Sequence, residues 1–223
     1  MKIKSLSIGG FKNLKQTRIE VDRITALISP NNYGKSNVLG GLSFALLFLS
    51  AGEKDRKKLA SWKKGIPLNP YSAGNPFSFE IEFHEPSLVE YQYVRYGFSF
   101  AWLRDDTTEQ QITDEWLEMR ENESVKYTRY LKRNEGQYRK AKSTNAFRNI
   151  SLGSFQLAID TLSSIDDIEY NAVLDYIKHL NFKTCSSLDM DGQYQNFPFE
   201  MDDSNESSAY TNDIPKLLNT LKE

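Results

Sequence analysis

The 223-residue sequence is poor in the residues that build disulfides and zinc sites. It has one cysteine, Cys185, and two histidines, His84 and His179, which lie far apart in the chain. A single cysteine excludes an internal disulfide framework and fits a reducing, cytoplasmic environment. Because structural zinc sites draw their ligands mainly from clustered cysteine and histidine, we also expect no zinc site.

Long apolar runs are missing as well. The longest one lies within residues 38–51, and it is interrupted by glycine and serine. A membrane-spanning helix needs about 20 predominantly apolar residues, so this run is better interpreted as a buried helix. The N-terminus, MKIKSLSIGG, lacks the apolar stretch of a signal peptide. We therefore expect no membrane partner.

The net charge of −2 conceals an uneven distribution. Residues 1–156 hold 24 Lys and Arg against 17 Asp and Glu, whereas residues 157–223 hold 4 against 13. Two segments, 53–64 and 126–142, combine basic side chains with Trp or Tyr, a mixture that suits nucleic acid. The acidic residues among them, and the alternation typical of a strand, favour a solvated surface instead.

Alternating polar and apolar residues predict a sheet in the first two thirds of the chain. Strands are expected at residues 2–7, 16–21, 24–28, 77–83 and 91–103, with 113–120 either a strand or a short helix. A turn is expected at residues 9–13, and Asn134-Glu135-Gly136 predicts a hairpin. The strands after residue 77 form an antiparallel meander that reaches to about residue 142.

Helical spacing appears in two regions. Residues 35–49 predict a helix that is buried on most sides and ends at Gly52. Residues 53–75 are a charged connection, and residues 152–180 predict one or two helices that break near 163–167. Residues 189–208 are acidic and typical of a mobile segment, and residues 213–218 look like the start of another helix.

The segment ITALISPNNYGKSN has the features of a phosphate-binding loop. A strand, a glycine-containing loop and a helix that opens with Lys-Ser direct backbone N–H groups and the positive end of a helix dipole at an anion. In such a loop Lys35 reaches the β- and γ-phosphates, the Ser36 hydroxyl binds Mg²⁺, and Gly34 lets the backbone approach closely. Ser29 stands where these loops normally begin with glycine, a small change that leaves the loop amides in place.

Together with its surroundings, this loop carries a family resemblance. GFKNLKQTRIEV followed by ITALISPNNYGKSNVLGGL resembles the N-terminal lobe of the ABC-type ATPases of the SMC, RecF and OLD group, and most of all their AAA15 branch. Residues 2–49 match specifically and residues 77–142 only loosely. The resemblance implies an α/β P-loop NTPase fold. Residues 1–150 would be the N-terminal lobe, with the P-loop at 29–37, and residues 151–223 a helical segment with an acidic, mobile tail.

The resemblance also implies a site for ATP and Mg²⁺. Lys12 matches a basic residue that lies near the nucleotide in the family, and Lys35 is the candidate catalytic residue, with Ser36 as the Mg²⁺ ligand. The expected nucleotide-binding residues are Lys12, Asn13, Ser29, Pro30, Asn31, Asn32, Tyr33, Gly34, Lys35, Ser36 and Asn37.

The motifs that complete the site in this family are not found. They are a glutamine-bearing loop, a Ser-Gly signature, an apolar strand ending in Asp-Glu and a switch histidine. Ile165-Asp166-Asp167 follows a helix or loop pattern, and the candidate glutamines Gln92, Gln137 and Gln156 have no matching context. Since these motifs belong to the family's C-terminal lobe, we expect a truncated product or half of a split ATPase, which alone binds nucleotide without efficient hydrolysis.

Two classes of function remain open. In the first, ATP brings two heads together and drives a change coupled to DNA or to an effector, in prokaryotic anti-phage defence or another DNA transaction. In the second, the protein is a low-turnover scaffold or sensor that holds a toxin or nuclease partner. A small-molecule kinase is less well supported, because such kinases usually follow the loop's helix with parallel strands.

Overall fold

The computed structural model describes residues 1–23, 25–28, 34–61, 74–103, 112–144 and 146–180. All of them belong to one compact unit, Met1–Thr184. A second unit, Cys185–Glu223, lies outside the described residues. The expected acidic segment at 189–208 and the expected helix start at 213–218 therefore stay predictions, as does the placement of Ile24 and of loop residues 29–33.

An eight-stranded sheet forms the centre of the described part. Every neighbouring pair is antiparallel, in the order β2-β1-β3-β4-β5-β6-β7-β8. The strands are β1 (Lys2–Phe11), β2 (Leu14–Glu20), β3 (Phe77–His84), β4 (Tyr93–Phe100), β5 (Ile112–Arg120), β6 (Thr128–Lys132), β7 (Gln137–Tyr138) and β8 (Arg148–Asn149). The predicted antiparallel meander is confirmed, and residues 113–120 are a strand.

Helices complete the α/β architecture. They are α1 (Lys35–Ser50), α2 (Glu53–Ala60), α3 (Ala158–Leu162) and α4 (Asn171–Lys178), with 3₁₀ turns at Pro86–Tyr91 and Arg133–Glu135. The predicted break between two C-terminal helices is confirmed, and it spans residues 163–170. Within the described ranges, no helix is long and apolar enough to cross a membrane.

Two predicted turns are present in the sheet, and the first of them is shorter than the sequence suggested. β1 extends through Gly9 and Gly10 to Phe11, so the predicted turn at 9–13 contracts to Lys12 and Asn13. The predicted hairpin at 134–136 is confirmed, with Gly136 in the left-handed region at φ 60°. Gly136 donates its N–H to the carbonyl of Arg133, which closes that turn.

The strand predicted at residues 24–28 is wrong for the residues that the structure describes. Residues 25–28 form no strand, and Ile28 is 91% exposed. An apolar run becomes a buried strand only when neighbouring strands pair with it on both sides. None of the eight described strands pairs with this segment, so its apolar side chains face outward.

The connection predicted at 53–75 begins with a helix. α2 follows α1 after a two-residue link, and Gly52 precedes α2 instead of ending α1, whose C-terminal cap is Ala51. The acidic residues Glu53 and Asp55 lie in the first turn of α2, and Lys57 and Lys58 lie in its last turn. This order complements the helix dipole and explains why so charged a segment is helical.

An aromatic layer joins α1 to the sheet. Phe44 and Phe48 on α1 are fully buried. The Phe44 ring lies 5.0 Å from that of Phe77 on β3, and the Phe48 ring stacks on Phe100 of β4 at 4.5 Å. Aromatic rings bury large apolar areas, and such pairs add to the gain from burial itself. This contact sets the position of α1 on the sheet.

The other face of the sheet is polar and tightly filled. Trp116 on β5 lies across Gly97 on β4, where an added Cβ would come within 2.3 Å of the indole. The indole N–H donates to Glu80 at 2.9 Å. Beside it, Glu82 accepts hydrogen bonds from Arg95 and Tyr127, which lower the pKa of this carboxyl against the opposing effect of burial. Charges on this face therefore neutralise one another within the sheet.

A buried arginine ties α2 to the end of α1. Arg56 is only 2% exposed, although its segment is strongly basic. Its guanidinium donates to the carbonyls of Phe48 and Leu49 at 2.9 Å each and to the Asp160 carboxylate at 2.6 Å. Carbonyls in the last turn of a helix lack intrahelical partners, so Arg56 satisfies groups that would otherwise be buried unpaired.

Replacing Arg56 with alanine removes these bonds and leaves a partly buried Asp160 with only one ion pair among the described residues, the longer one to Lys178 at 4.0 Å. We expect Arg56→Ala to lower the free energy of unfolding by about 3 kcal/mol, measured by urea denaturation. Lys57→Ala changes the next residue of the same helix, which is exposed, and should shift stability by less than about 0.5 kcal/mol. Equal effects of the two variants would contradict the role of Arg56.

A buried carboxylate holds the start of α3. Glu115 on β5 accepts the N–H groups of Ala158 at 2.6 Å and Ile159 at 3.2 Å, and the hydroxyl of Tyr96 at 3.1 Å. Burial raises the pKa of Glu115 to about 7, against the opposing effects of these donors and of Arg133. A carboxyl with a raised pKa in the folded state stabilises the fold fully below its unfolded pKa, and this contribution is lost as the pH rises through 7.

The free energy of unfolding should therefore fall by up to about 3 kcal/mol between pH 4.5 and pH 8. Urea denaturation at a series of pH values measures this slope. Glu115→Gln cannot ionise, so its profile should be flatter than that of the wild type. Glu90→Gln, an exposed control, should keep the wild-type slope. A Glu115→Gln profile as steep as the wild type would show that another group causes it.

Candidate functional site

The N-terminus of α1 presents backbone donors and a positive dipole without any opposing charge. Gly34 precedes the helix with φ 98°, and its carbonyl accepts the first helical hydrogen bond, from Val38 N–H at 2.9 Å. The first turn contains no acidic residue, and no side-chain hydrogen bond from the described residues caps it. The first N–H groups of a helix lack intrahelical partners and attract anions.

Two polar side chains stand on this first turn. Lys35 is half-buried, and Ser36 is exposed. A lysine at this position supplies a point charge and a serine supplies a hydroxyl, which are the groups that a nucleotide phosphate and its metal ion require. Across the described residues, no cluster of three His, Cys, Asp or Glu side chains is suited to hold a metal. Among the described residues of this turn, Ser36 is the candidate ligand for magnesium.

The β1–β2 turn packs against the end of the loop. Asn37 Nδ2 donates to Asn13 Oδ1 at 2.7 Å, which joins the first turn of α1 to a residue 24 positions earlier. Gly34 lies against the same asparagine, since a Cβ at Gly34 would stand 3.1 Å from Asn13 Oδ1. The turn and the start of the helix thus form two sides of one site.

Lys12 has an unusual backbone conformation in this turn. It is one of two non-glycine residues with positive φ in the described chain, at φ 51°. A left-handed L-residue costs about 1–2 kcal/mol, so its neighbours must hold it. Its ammonium group lies 5.8 Å from the centre of the Phe11 ring. This places a cation on the turn that faces α1.

A glycine pair lets β1 approach α1. A Cβ at Gly41 would stand 3.0 Å from the Ile8 side chain, and one at Gly40 would stand 3.5 Å from the Phe11 ring. Glycine inside a helix is unfavourable and often marks a close approach. The sequence analysis did not assign Gly41 to the site, although the Gly-Gly pair in an apolar helix was a signal for it.

The predicted site residues fall into two groups. The structure joins Asn13 to Asn37 and sets Gly34 against Asn13, while Lys12, Lys35 and Ser36 are their neighbours in the β1–β2 turn and the first turn of α1. The remaining ones, Ser29, Pro30, Asn31, Asn32 and Tyr33, lie outside the described residues. Ile165-Asp166-Asp167 is in the link between α3 and α4, which confirms a helix or loop setting and not a strand.

Most cations of the segment 126–142 already have acidic partners. The ion pairs are Arg129–Glu118, Lys132–Glu135, Lys142–Glu121 and Lys140–Asp167. Arg133 pairs with the buried Glu115 at 3.7 Å and also donates to the carbonyls of Ile112 and Gly153. These contacts agree with the solvated-surface interpretation, and a contact between this segment and nucleic acid stays a prediction.

Comparison with known proteins decides the family. A model of the AAA ATPase domain matches the chain over residues 1–223. The protein belongs to this AAA ATPase family. The family implies a nucleotide site, and the Lys35–Ser36 helix start is the candidate for it. The family also agrees with the α/β P-loop fold expected from the GFKN turn and the GKS loop.

Other comparisons add little. A search of curated proteins found no match. Among solved structures, the ATPase is similar to an SMC ATPase studied for ATP-driven dimerisation and DNA-stimulated activation, at 18% identity and a TM-score of 0.35. The alignment covers 55% of this chain and 72% of that chain. A similarity this low carries no argument about function.

The described residues fit a nucleotide phosphate. The backbone at Gly34 has a conformation that L side chains rarely adopt, and a Cβ there would press on Asn13. The helix that follows offers N–H donors and no repelling carboxylate in its first turn. Lys35 and Ser36 would hold the phosphate and its magnesium ion.

Gly34 and Gly40 give a matched pair of alanine variants. We expect Gly34→Ala to lower the free energy of unfolding by about 1–2 kcal/mol, because its positive φ disfavours any side chain. Gly40→Ala should raise it by up to about 1 kcal/mol, since alanine is the better helix former and its Cβ would make only ordinary contacts. Urea denaturation measures both changes in stability. Changes of the same sign would contradict the view that Gly34, but not Gly40, has a backbone conformation that requires glycine.

Proposed function

We propose that this ATPase binds ATP with Mg²⁺ at the start of α1 and works as one lobe of an ATP-hydrolysing head. The observation that supports this most directly is the first turn of α1, where Lys35 and Ser36 follow a left-handed glycine with no acidic neighbour in the turn. Backbone donors, a cation and a hydroxyl meet there, which is the combination that a magnesium-bound triphosphate requires.

Each residue has a separate task in this proposal. The N–H groups of the first turn of α1 orient the phosphates, and Lys35 offsets charge on the β- and γ-phosphates. Ser36 places its hydroxyl toward Mg²⁺, which when bound neutralises phosphate charge. Lys12 approaches from the β1–β2 turn. None of these side chains is a carboxylate that could activate the attacking water. In this proposal the activating carboxylate would come from another part of the assembled head.

The apolar surface beside the loop supports assembly with a second copy. Leu27, Ile28 and Leu39 are exposed, and Ile28 directly precedes the loop. Apolar side chains that are exposed side by side, as Leu27 and Ile28 are, can mark a surface that a partner covers. We propose that ATP brings two heads together in the cytoplasm, and that this movement is coupled to DNA or to an effector protein in a prokaryotic anti-phage or DNA-transaction system.

A second candidate is a low-turnover scaffold or sensor that holds a toxin or nuclease partner while nucleotide is bound. Its motivation is Ser29 in place of the loop's first glycine, together with the sequence motifs of the catalytic half that are not found. Steady ATP turnover by the purified protein, at rates of about 1 per second or more, would exclude this candidate.

Calorimetric titration with ATP and Mg²⁺ tests the site directly. We expect Lys35→Ala to weaken binding by about 10- to 100-fold, the value of one charge-assisted hydrogen bond. Ser36→Ala should remove the dependence of affinity on Mg²⁺. Lys58→Ala changes an exposed lysine that pairs with Asp55 on α2, and it should bind like the wild type. Equal affinity of Lys35→Ala and wild type would reject the proposed site.

A further inference from the structure

We infer that Asn13 and Asn37 are a positioning pair for Lys12. Both asparagines belong to the set expected to bind nucleotide, and the structure joins their side-chain amides to each other. Their bond holds the β1–β2 turn against the first turn of α1, and Lys12 is held in the site as a result. This inference rests on the proposed function, since it concerns the same ATP site.

The hydrogen bond itself carries the first step. Asn37 Nδ2 and Asn13 Oδ1 are 2.7 Å apart, at the short end of the range for N–H···O bonds. Asn37 is half-buried on the helix, and Asn13 lies at the turn. An Asn37 N–H donated to Asn13 points toward the turn and is not directed at a phosphate. The contact joins two elements that are neighbours in space but 24 residues apart in sequence.

The conformation of Lys12 carries the second step. Its φ of 51° is unfavourable for a lysine, so the turn needs anchors on both sides. On one side Phe11 is buried against the Gly40–Gly41 pair, and on the other side Asn13 is bonded to Asn37. Without the second anchor the Phe11–Leu14 pair still closes the turn, but the turn is no longer fixed to α1, so Lys12 can shift relative to the helix start.

The energetic consequence follows from the flexibility of lysine. A lysine side chain loses rotamer freedom when it binds, and a mobile backbone adds to that loss. Lys12 can therefore strengthen ATP binding only while its backbone is fixed. A positioning role predicts that the contribution of Lys12 disappears when Asn37 cannot donate, whereas a ligand role predicts that the two contributions are independent.

A double-mutant cycle on the full chain separates these roles. The proteins are wild type, Lys12→Ala, Asn37→Ala and Lys12→Ala/Asn37→Ala, titrated calorimetrically with a non-hydrolysable ATP analogue and Mg²⁺. We expect each single variant to weaken binding about tenfold and the double variant to bind no more than about twofold weaker than either. Asn13→Ala, which removes the acceptor, should give the same pattern with Lys12→Ala.

Independent effects would overturn the inference, and the double variant would then bind about a hundredfold more weakly than wild type. An unchanged affinity of Lys12→Ala in the wild-type background would also overturn it, while a loss on Lys35→Ala would leave the proposed function standing. If the wild type does not bind ATP at all, both the proposed function and this inference are wrong.

A matched control guards against a general loosening of the hairpin. Ser78→Ala removes the hydrogen bond from Ser78 on β3 to Gln16 on β2, which ties the β1–β2 hairpin to β3 at a place away from the turn. In this background Lys12→Ala should still cost about tenfold. If Ser78→Ala also erased the Lys12 effect, the Asn13–Asn37 bond would have no special role. Urea denaturation of each variant confirms that the proteins compared are folded.

Discussion

The packing of Phe44 and Phe48 of α1 against Phe77 and Phe100 of the sheet is the contact on which the rest depends. Lys35 lies nine residues before Phe44, which is about 13 Å along a helix. The candidate site is thus at the N-terminal end of a helix whose middle and C-terminal part are buried. Arg56 fixes the C-terminal end of α1 by donating to the carbonyls of its last turn. A helix held at its middle and its end can present its first turn to a ligand without moving.

Much of this arrangement is visible in the sequence, because strands and helices differ in the period of their apolar residues. FSFEIEF alternates strictly and forms β3, and the glycine-lysine-serine motif followed by an apolar run marks α1. The family resemblance of residues 2–49 reached the correct family. These features are local, so the order of residues alone determines them.

The features that the sequence did not reveal depend on distant partners. Residues 25–28 have the composition of a buried strand, but composition cannot show whether strands lie on either side of them. Arg56 belongs to a segment with the charge of a solvated surface, and only the last turn of α1 and Asp160 explain its burial. The Asn13–Asn37 bond joins a turn residue to a residue of α1, and nothing in either segment alone indicates that their side chains meet.

The close approach of β1 to α1 at Gly41 has a consequence for how such a protein can diversify. Ile8 and Phe11 lie against this glycine, and the same strand leads directly to Lys12 and Asn13. A larger residue at position 41 would push the strand outward and carry the turn away from the helix start. In the proposed site, nucleotide affinity would then depend on the volume of a core residue, while the loop sequence itself remains unchanged. Natural variation at this buried position would change the geometry of the proposed site without direct contact with it.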